Sequence, residues 1–233
     1  MAKEKKSIDI RIIKGIKQAV HNAKAQGIIL GLSGGVDSAV VAVLAQKALG
    51  KKRVLGLLLP CDSHPGDFSD AKLLCRKFGI NHKTIDLTPI YRAIKKVFPK
   101  GNRLALANLK PRLRMLTLYY FANNLNYLVL GTGNKSELSV GYFTKYGDGG
   151  VDLLTIGGLL KTQVRKVARQ LGIPDRIIVK PPSAGLWRGQ TDEGEMGLTY
   201  DLLDRMLAGK IKKSRKVRQM MAAASHKIRM AKV

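Results

Sequence analysis

The feature that most constrains the fold of this chain is a loop rich in glycine and serine that directly follows a short apolar run. The run, "GIIL" at residues 27–30, predicts a buried strand, and the loop "GLSGGVDSA" occupies residues 31–39. Beyond the loop, apolar side chains recur at helical spacing, at Val36, Val40, Val43 and Leu44. A strand, a glycine turn and a helix N-terminus bring backbone N–H groups to one point, which predicts an anion site.

Two other types of loop compete with this interpretation. The letters "GLSGG" match the G-x-S-x-G nucleophile elbow of hydrolases, and Ser33, Asp152 and His226 would supply a triad in that chain order. That interpretation leaves Asp37 and Ser38 without a purpose. A Walker loop would require a lysine before its final serine or threonine, and the loop contains none.

A backbone cradle for phosphate accounts for more of the loop. Gly34 and Gly35 permit a turn that aims N–H groups inward, and the hydroxyl groups of Ser33 and Ser38 can donate to phosphate oxygens. Asp37 would repel a phosphate directly, so its presence is explained if Mg²⁺ lies between them. The alternative is that Asp37 only favours the first turn of the helix, where a negative charge is stabilising.

The remaining pattern predicts an α/β fold with a doubly wound parallel sheet covered by helices on both faces. Further strands are predicted at 54–59, 81–87 and 127–132, and the first and last of these lack polar alternation. Ligands of such sheets bind beyond the carboxyl ends of the strands, so 31–39 and the segment after 132 should meet in one crevice. Helices are predicted at 8–25, 68–79, 103–126, 199–208 and 214–230, and a long loop at 181–197.

Length, charge and cysteine content narrow the class of protein. A chain of 233 residues suits a single domain spanning 1–233. The net charge of +26 attracts nucleotides, nucleic acid or anionic surfaces, or is a solvated surface without a specific partner. Cys61 and Cys75 lie in or beside apolar segments, which predicts buried free thiols and a cytoplasmic location. The sequence shows neither a signal peptide nor an apolar run long enough to cross a membrane.

Two motifs carry a resemblance to a known family. The run Ser-Gly-Gly-x-Asp-Ser at 33–38 resembles the loop of the ATP pyrophosphatase superfamily. The segment 130–174, which contains "GYFTKYGDGG", is similar to ammonia-dependent NAD synthetases, as are "NLKPRLRM" at 108–115 and "GLTYDLLDRMLAG" at 197–209. The resemblance covers about residues 10 to 230. It implies an adenine-nucleotide alpha-hydrolase-like, Rossmann-like fold.

The resemblance also implies a reaction. The nicotinate carboxylate of deamido-NAD attacks the α-phosphorus of ATP and pyrophosphate leaves; ammonia then attacks the adenylated intermediate to give NAD and AMP. Mg²⁺ is the implied cofactor, and a homodimer is the implied assembly. With only a short helix before the first strand, no glutaminase domain is expected, so free ammonia is the expected nitrogen donor.

Functional residues carry over from the family position by position. The implied metal ligands are Asp37 and Glu137, and the implied catalytic set is Asp37, Glu137, Lys161 and Asp148. The implied ATP-binding residues are Gly31, Leu32, Ser33, Gly34, Gly35, Val36, Asp37, Ser38, Thr132, Lys161 and Ser183. The residues implied to bind deamido-NAD are Arg112, Lys145, Asp152, His226 and Lys227.

Some questions stay open at this level. Pro111 stands where the family pattern favours a small helix former, and residues 184–195 match the family poorly. A tRNA-adenylating member of the superfamily would suit the net charge, and a non-catalytic nucleotide or nucleic-acid binding module is a second rival. Apolar residues between 113 and 121 fit a dimer interface or the core equally well: Leu113, Leu116, Tyr119, Tyr120 and Phe121.

Overall fold

A computed structural model of the protein describes residues 8–187 and 189–228. Its sheet has five strands in the order β3-β2-β1-β4-β5, and every neighbouring pair is parallel. The strands are β1 (Gly27–Gly31), β2 (Val54–Leu58), β3 (His82–Thr84), β4 (Tyr127–Gly131) and β5 (Leu153–Leu154). The first strand lies between β2 and β4, so the winding reverses beside β1, where such sheets bind ligands.

Helices connect the strands and cover the sheet. They are α1 (Ile8–Asn22), α2 (Val36–Leu49), α3 (Pro65–Phe78), α4 (Thr88–Val97), α5 (Arg103–Ala107), α6 (Leu109–Leu125), α7 (Lys135–Val140), α8 (Lys161–Gln170), α9 (Asp175–Ile178), α10 (Asp192–Met196), α11 (Tyr200–Leu207) and α12 (Arg215–Ile228). A single 3₁₀ turn, Lys51–Arg53, precedes β2. Among the described helices, none is long and apolar enough to cross a membrane.

Alternate residues of the central strand are buried on opposite faces of the sheet. Ile28 and Leu30 join an apolar cluster with α1, α2, α3, α8 and α9, whereas Ile29 joins a second cluster with α4 and α6. A strand buried on both faces needs no polar alternation, which explains the continuous apolar runs in the sequence. The predicted doubly wound fold is confirmed.

A third, smaller cluster lies at one side of the sheet and supports the site described below. It contains buried apolar residues of α7, α10, α11 and α12: Val140, Met196, Tyr200, Leu203, Met206 and Val217. Helix α7 contacts both α11 and α12. These helices pack on one another, so the chain after α9 forms a support for the loop that follows β4.

Several element boundaries differ from the predicted ones. The helix predicted at 103–126 is two helices, because the chain bends at Asn108, and Pro111 lies in the first turn of α6, where its missing N–H costs nothing. The helix expected at 68 begins at Pro65, since the His64 ring accepts a hydrogen bond from Gly66 N–H and caps it. The first helix ends at Asn22, earlier than predicted, and residues 229–230 of the last predicted helix lie outside the described residues.

Five elements have no counterpart among the predicted ones, namely α4, α7, α8, α9 and β5, and one predicted loop is partly helical. No helix was predicted at α4, although Ile90, Tyr91 and Ile94 follow helical spacing after a proline. With only two residues, β5 is too short to show periodicity. The segment 181–197 is irregular as predicted, except that it contains α10.

The ambiguous apolar residues of α6 divide between core and surface. Leu113 is buried in the second cluster, while Leu116 and Tyr120 are 61% and 65% exposed. Tyr119 and Phe121 are partly buried against the same cluster. Cys61 and Cys75 are both buried free thiols, as predicted.

Candidate active site

The glycine loop joins β1 to α2 at the carboxyl edge of the sheet, beside the point where the winding reverses. Gly34 has a φ of +80°, and a Cβ atom there would lie 2.2 Å from the carbonyl oxygen of Asp67. Gly34 is therefore required twice, by its backbone conformation and by the close approach of α3. The backbone of Gly35 is extended, a conformation that any residue can adopt. Backbone conformation therefore explains the glycine at position 34 but not the one at position 35.

The hydroxyl groups of the loop bond to each other. Ser33 Oγ lies 3.1 Å from Ser38 Oγ and accepts a hydrogen bond from Gly35 N–H at 3.2 Å. Ser38 Oγ also donates to the Gly35 carbonyl at 3.0 Å. Gly35 precedes α2 and has no side chain with which to cap it, and the first N–H groups of a helix have no partner within the helix. The loop therefore presents donors and a positive helix end to an anion.

Three charged side chains meet beside this loop. Lys161 Nζ lies 2.5 Å from Asp37 Oδ2 and 2.9 Å from Glu137 Oε1. The Lys161 side chain is only 3% exposed, and the two carboxylates are 16% and 14% exposed. The residues come from the first turns of three different helices, α2, α7 and α8. We call Asp37, Glu137 and Lys161 the ion cluster.

The backbone and a neighbouring amide fix the two carboxylates. Asn134 caps α7: its side chain accepts from Glu137 N–H, and Glu137 Oε2 accepts from Asn134 N–H at 3.1 Å, which is a capping box. The same Asn134 side chain donates through Nδ2 to Asp37 Oδ1 at 2.9 Å. A single amide therefore sets the distance between the two carboxylates.

Burial and charge shift the ionisation of the cluster. Burial raises the pKa of Glu137 to about 7, and the charge of Lys161 opposes that shift. Burial works against the charge of Lys161, but the two adjacent carboxylates outweigh it and raise the pKa of the ammonium group. Lys161 thus stays charged, and both carboxylate oxygens that contact it face a cation.

Residues absent from the sequence predictions support the cluster from behind. Tyr200 is fully buried; its hydroxyl lies 2.9 Å from Asp192 Oδ2 and 3.4 Å from Glu137 Oε1, and its ring lies 4.9 Å from Lys161 Nζ. Asp204 accepts hydrogen bonds from the Ser136 hydroxyl and from Thr162 N–H, and so ties α7 to α8. In the sequence, these residues sit at ordinary helical positions, and only their burial distinguishes them.

A second group of predicted residues surrounds the loop between α7 and β5. Lys145 Nζ donates to the carbonyl of His226 at 2.7 Å, and Arg112 donates to the carbonyl of Lys145 at 3.4 Å. Lys227 Nζ donates to the carbonyl groups of Gly141 and Phe143 at 2.7 and 2.9 Å. Four of the five residues implied to bind deamido-NAD are therefore brought together by α6, α12 and this loop.

Asp152 and Asp148, the other acidic residues implied to belong to the site, both have hydrogen-bond partners within the fold. Asp152 accepts from the Tyr119 hydroxyl at 2.9 Å and from Val129 N–H at 2.8 Å, and thereby joins β4 to α6. Asp148 accepts from Thr144 N–H at 2.9 Å in a turn, and burial raises the pKa of its carboxyl. Among the described contacts, Ser33 and Asp152 bond to different partners, so the hydrolase triad is not assembled.

Thr132 and Ser183, which the family resemblance implies as ATP contacts, lie outside the glycine loop but close to it. Thr132 follows β4 directly and is half-buried. Ser183 is exposed, and its hydroxyl accepts from Gly185 N–H at 3.1 Å. A Cβ atom on Gly185 would lie 3.8 Å from the Asp67 carboxylate, and Asp67 also contacts Gly34. The segment that carries Ser183 therefore reaches the glycine loop through α3.

The ion cluster offers oxygen donors for a metal ion. Across residues 8–187 and 189–228, no group of three or more His, Cys, Asp and Glu side chains is arranged to hold one. Mg²⁺, however, is commonly held by one or two carboxylates and completes its shell with water and substrate phosphate. Asp37 and Glu137 are such a pair, and the contact of both with one ammonium nitrogen shows that they can face one cation.

The parallel sheet, the glycine loop at its reversal point and the buried ion cluster define a nucleotide-dependent enzyme of the adenine-nucleotide alpha-hydrolase type. A sequence model described as NAD synthase matches residues 9–232. The chain belongs to the NAD synthase family, and its activity is that of an ammonia-dependent NAD synthetase, a ligase.

Individual relatives support this assignment. An NH₃-dependent NAD⁺ synthetase of Carboxydothermus hydrogenoformans is 49% identical over 96% of this chain and 95% of the relative. One of Archaeoglobus fulgidus is 49% identical over 96% and 94%. Among solved structures, an NMN synthetase of Francisella tularensis has a TM-score of 0.91 at 37% identity, covering 97% of this chain and 96% of its own. An NH₃-dependent NAD synthetase of Campylobacter jejuni has a TM-score of 0.82 at 31% identity, covering 100% and 99%.

Proposed function

We propose that the ion cluster and the glycine loop form the place where ATP is activated, with Asp37 and Glu137 holding Mg²⁺. The observation that carries this proposal is that two carboxylates from different helices converge on one buried cation at a helix N-terminus. Their oxygens are the hard ligands that Mg²⁺ takes. When bound, the ion would neutralise phosphate charge during the displacement.

The chain's own residues would hold ATP around this point. The hydroxyl groups of Ser33 and Ser38, which bond to each other in this structure, would exchange that bond for hydrogen bonds to phosphate oxygens. Lys161 adds a buried positive charge, which acts strongly because water is largely excluded. An oxygen of the nicotinate carboxylate of deamido-NAD would then bond to the α-phosphorus of ATP as the bond from that phosphorus to pyrophosphate breaks. Ammonia bonds to the carbonyl carbon, AMP leaves, and the nitrogen loses a proton.

The group around the 141–148 loop supports a site for the dinucleotide. Arg112, Lys145 and Lys227 bring cationic side chains to this loop, where the backbone carbonyl of His226 accepts from Lys145, and deamido-NAD carries two phosphates. The guanidinium group of Arg112 has the fork geometry that suits a phosphate. We place Asp152 at the border of this site, since it bonds to Tyr119 on the same helix as Arg112.

A smaller substrate is a specific second candidate. The structure from Francisella tularensis is called an NMN synthetase, and its TM-score of 0.91 exceeds the 0.82 of the Campylobacter NAD synthetase. Nicotinate mononucleotide has the same carboxylate and lacks the adenylate half of deamido-NAD. Comparing kcat/KM for the two substrates decides between them, and a preference for deamido-NAD is expected.

The assembly and setting form part of the same proposal. We propose a homodimer, supported by the exposed Leu116 and Tyr120 on α6, and a cytoplasmic location, supported by two free buried cysteines. Residues 1–233 would act as one synthetase domain that uses free ammonia.

One assay tests the reaction. The protein is incubated with ATP, Mg²⁺, deamido-NAD and ammonium, and NAD, AMP and pyrophosphate are measured together. Equal amounts of the three products are expected, and Asp37→Asn should abolish all of them. Release of ADP and phosphate in place of AMP and pyrophosphate would contradict the proposed displacement at the α-phosphorus.

The role of Asp148 needs its own test. Its carboxylate already holds a turn by accepting from Thr144 N–H, and we propose that it also positions or deprotonates ammonium. Asp148→Asn should then raise the KM for ammonium more than the KM for ATP. An unchanged dependence on ammonium, with a folded variant, would leave only the role in the turn.

A further inference from the structure

The candidate active site uses only a few of the 42 lysine and arginine residues, and the fold distributes the charges unevenly. Between residues 10 and 136 the chain has five acidic residues, and each of them follows the carboxyl end of a strand: Asp37, Asp62, Asp67, Asp70 and Asp86. The opposite edge of the sheet, where the strands begin, receives no acidic side chain from this half of the chain. We call it the amino edge.

Exposed cations are concentrated on the amino edge. Five of them lie on or just beyond α1, in the 3₁₀ turn before β2 and on β3: Lys17, Lys24, Lys52, Arg53 and Lys83. None of the five takes part in a salt bridge among the described residues. We call these residues the basic edge. Since no carboxylate neutralises them, their charges create a field that attracts polyanions.

Part of the basic edge surrounds a groove of about 550 Å³ between α1, α2 and the 3₁₀ turn. Its walls carry Lys17, Lys24 and Arg53, and its floor is apolar and contains Val20 and Leu49. The guanidinium group of Arg53 is fixed, because it donates to two backbone carbonyl groups of the turn before β1. No acidic residue is found among the described residues that line this groove.

A second groove lies beside the same 3₁₀ turn, on the face of the sheet that α6 covers. Lys52 lines it together with Lys83 and the aromatic rings of Phe121 and Tyr127. The ammonium group of Lys83 lies 5.7 Å from the centroid of the Phe121 ring. Grooves that combine cations with aromatic rings are typical of sites for single-stranded nucleic acid, because phosphates pair with the cations and bases stack on the rings.

The backbone at Lys24 supports a role for its charge. Lys24 has a φ of +51°, a conformation that glycine and asparagine adopt more readily than lysine. Three other helices that end at the amino edge are followed by those residue types at positive φ: Gly50 after α2, Gly79 after α3 and Asn126 after α6. Lysine is therefore unfavourable for the fold at this position, and a site that uses its charge explains its presence.

Helix dipoles do not explain the basic edge. The C-terminal end of a helix carries a partial negative charge, which favours a cation in the last turn. His21, Lys47 and Lys77 occupy such positions in α1, α2 and α3. The residues of the basic edge lie outside the last turns of these helices, and the effect of the dipole falls off beyond those turns.

We propose that the basic edge binds single-stranded nucleic acid through its phosphates and without sequence preference. An anionic membrane would suit a helix face from which large apolar side chains protrude, whereas Val20 is buried and Leu49 half-buried on the floor of the first groove. A double helix is entered by a protruding helix or ribbon, and a recess suits a flexible strand. The site lies at the opposite edge of the sheet from the ion cluster and is independent of the proposed ATP site.

Fluorescence anisotropy with a labelled oligouridine of about 20 nucleotides tests this proposal between about 50 and 200 mM KCl. An oligothymidine of the same length should bind with similar affinity, because the contacts are with phosphates; binding of only one of the two would overturn that reason. The edge variant combines Lys17→Gln, Lys24→Asn and Lys52→Gln. Loss of three phosphate contacts should make the salt dependence shallower by about 2 and weaken binding at least about tenfold at low salt.

A matched control variant combines Lys166→Gln, Lys210→Gln and Lys212→Gln, exposed residues of α8 and of the loop after α11. It removes the same charge away from the amino edge and should weaken binding by less than about twofold, because distant charges are screened. Both variants should make NAD at the wild-type rate, which shows that they are folded. Lys24→Asn alone should melt no lower than the wild type, because asparagine suits positive φ, and should still bind the oligouridine more weakly.

Four results would overturn the proposal. They are wild-type affinity in the edge variant, equal losses in the edge and control variants, displacement of the oligouridine by ATP and Mg²⁺, and tighter binding to vesicles of phosphatidylserine and phosphatidylcholine than to the oligouridine. The third result would place the strand in the active site, and the fourth would make the amino edge a membrane surface. Because the readout is binding, a failure of the proposed ATP site would leave it unaffected.

Discussion

Replacing Lys161 by methionine tests whether the ion cluster is held together by its central charge. The variant keeps most of the side-chain stem but leaves Asp37 and Glu137 facing each other without a cation. Removing one partner of a buried ion pair costs about 3–5 kcal/mol. The carboxylates retain 16% and 14% exposure, so we take the lower value, about 3 kcal/mol. For a chain of this length, that loss corresponds to a fall in melting temperature of about 6–12 °C.

The melting temperature of Lys161→Met, measured with and without Mg²⁺, provides a second test of the ion cluster. Without the ammonium group, the two carboxylates should bind the ion in the absence of ATP and recover part of the loss. Ligand at one hundred times its Kd adds about 2.7 kcal/mol. The melting temperature of Lys161→Met should therefore rise with Mg²⁺ far more than that of the wild type. NAD synthesis should stay low in both conditions, because the buried positive charge is absent.

Lys180 provides the matched control. It also bridges two carboxylates, those of Asp67 and Asp70, but its side chain is 29% exposed. The ammonium group is more open to water than that of Lys161, and Asp70, although only 10% exposed, keeps Arg176 as a second cationic partner. Lys180→Met should therefore lower the melting temperature less than Lys161→Met does and should not respond to Mg²⁺. If the two variants melted at the same temperature, burial would not be the reason for the stability of the ion cluster.

Two further predictions concern the glycine loop and pH. Gly34→Ala should lower the free energy of unfolding, measured in urea, by at least about 2 kcal/mol and should abolish ATP binding. The reason is that alanine is strained at positive φ and that its Cβ atom would meet the backbone of Asp67. As a control, Gly15→Ala, at an exposed helical position with open space around it, should raise the free energy of unfolding by about 0.5–1 kcal/mol. Because burial raises the pKa of Glu137 to about 7, protons should compete with Mg²⁺ below that pH. Calorimetric titration should show Mg²⁺ affinity falling about tenfold per pH unit there, and a flat profile would show that Glu137 is not a ligand.

The strands of the fold could be predicted because burial on both faces leaves a strong mark in a sequence. Residues 27–30, 54–59 and 127–132 are continuous apolar runs, and each coincides with a central strand of the sheet. By contrast, β5 has two residues and is defined by its pairing with β4, a contact that no local pattern encodes. The break at Asn108 was not predicted, since apolar spacing continues across it and one helix was expected over 103–126.

A residue of the candidate site could be predicted from the sequence where its chemical type does not suit the loop in which it lies. Asp37 is an acidic residue in a loop of the phosphate-binding type, and that conflict predicts a metal ion from the sequence alone. Glu137 and Lys161 have no such conflict and were assigned through the family motif. Asp192 and Tyr200 escaped both routes, because an aspartate and a tyrosine at helix starts are ordinary. Only their burial and mutual contact distinguish them.

The topology explains why these charges meet at all. Asp37 follows β1 and Glu137 follows β4, and these strands are parallel neighbours, so their carboxyl ends open on one edge of the sheet. The chain then passes through β5 and begins α8 at Lys161, whose N–H group donates to the Ser136 hydroxyl at 3.0 Å. This contact holds the start of α8 beside α7 independently of the ionic contacts of the Lys161 side chain. The cost of burying three charges is offset by this fixed geometry, and a substrate with several negative charges would meet a site whose positive groups need little further ordering.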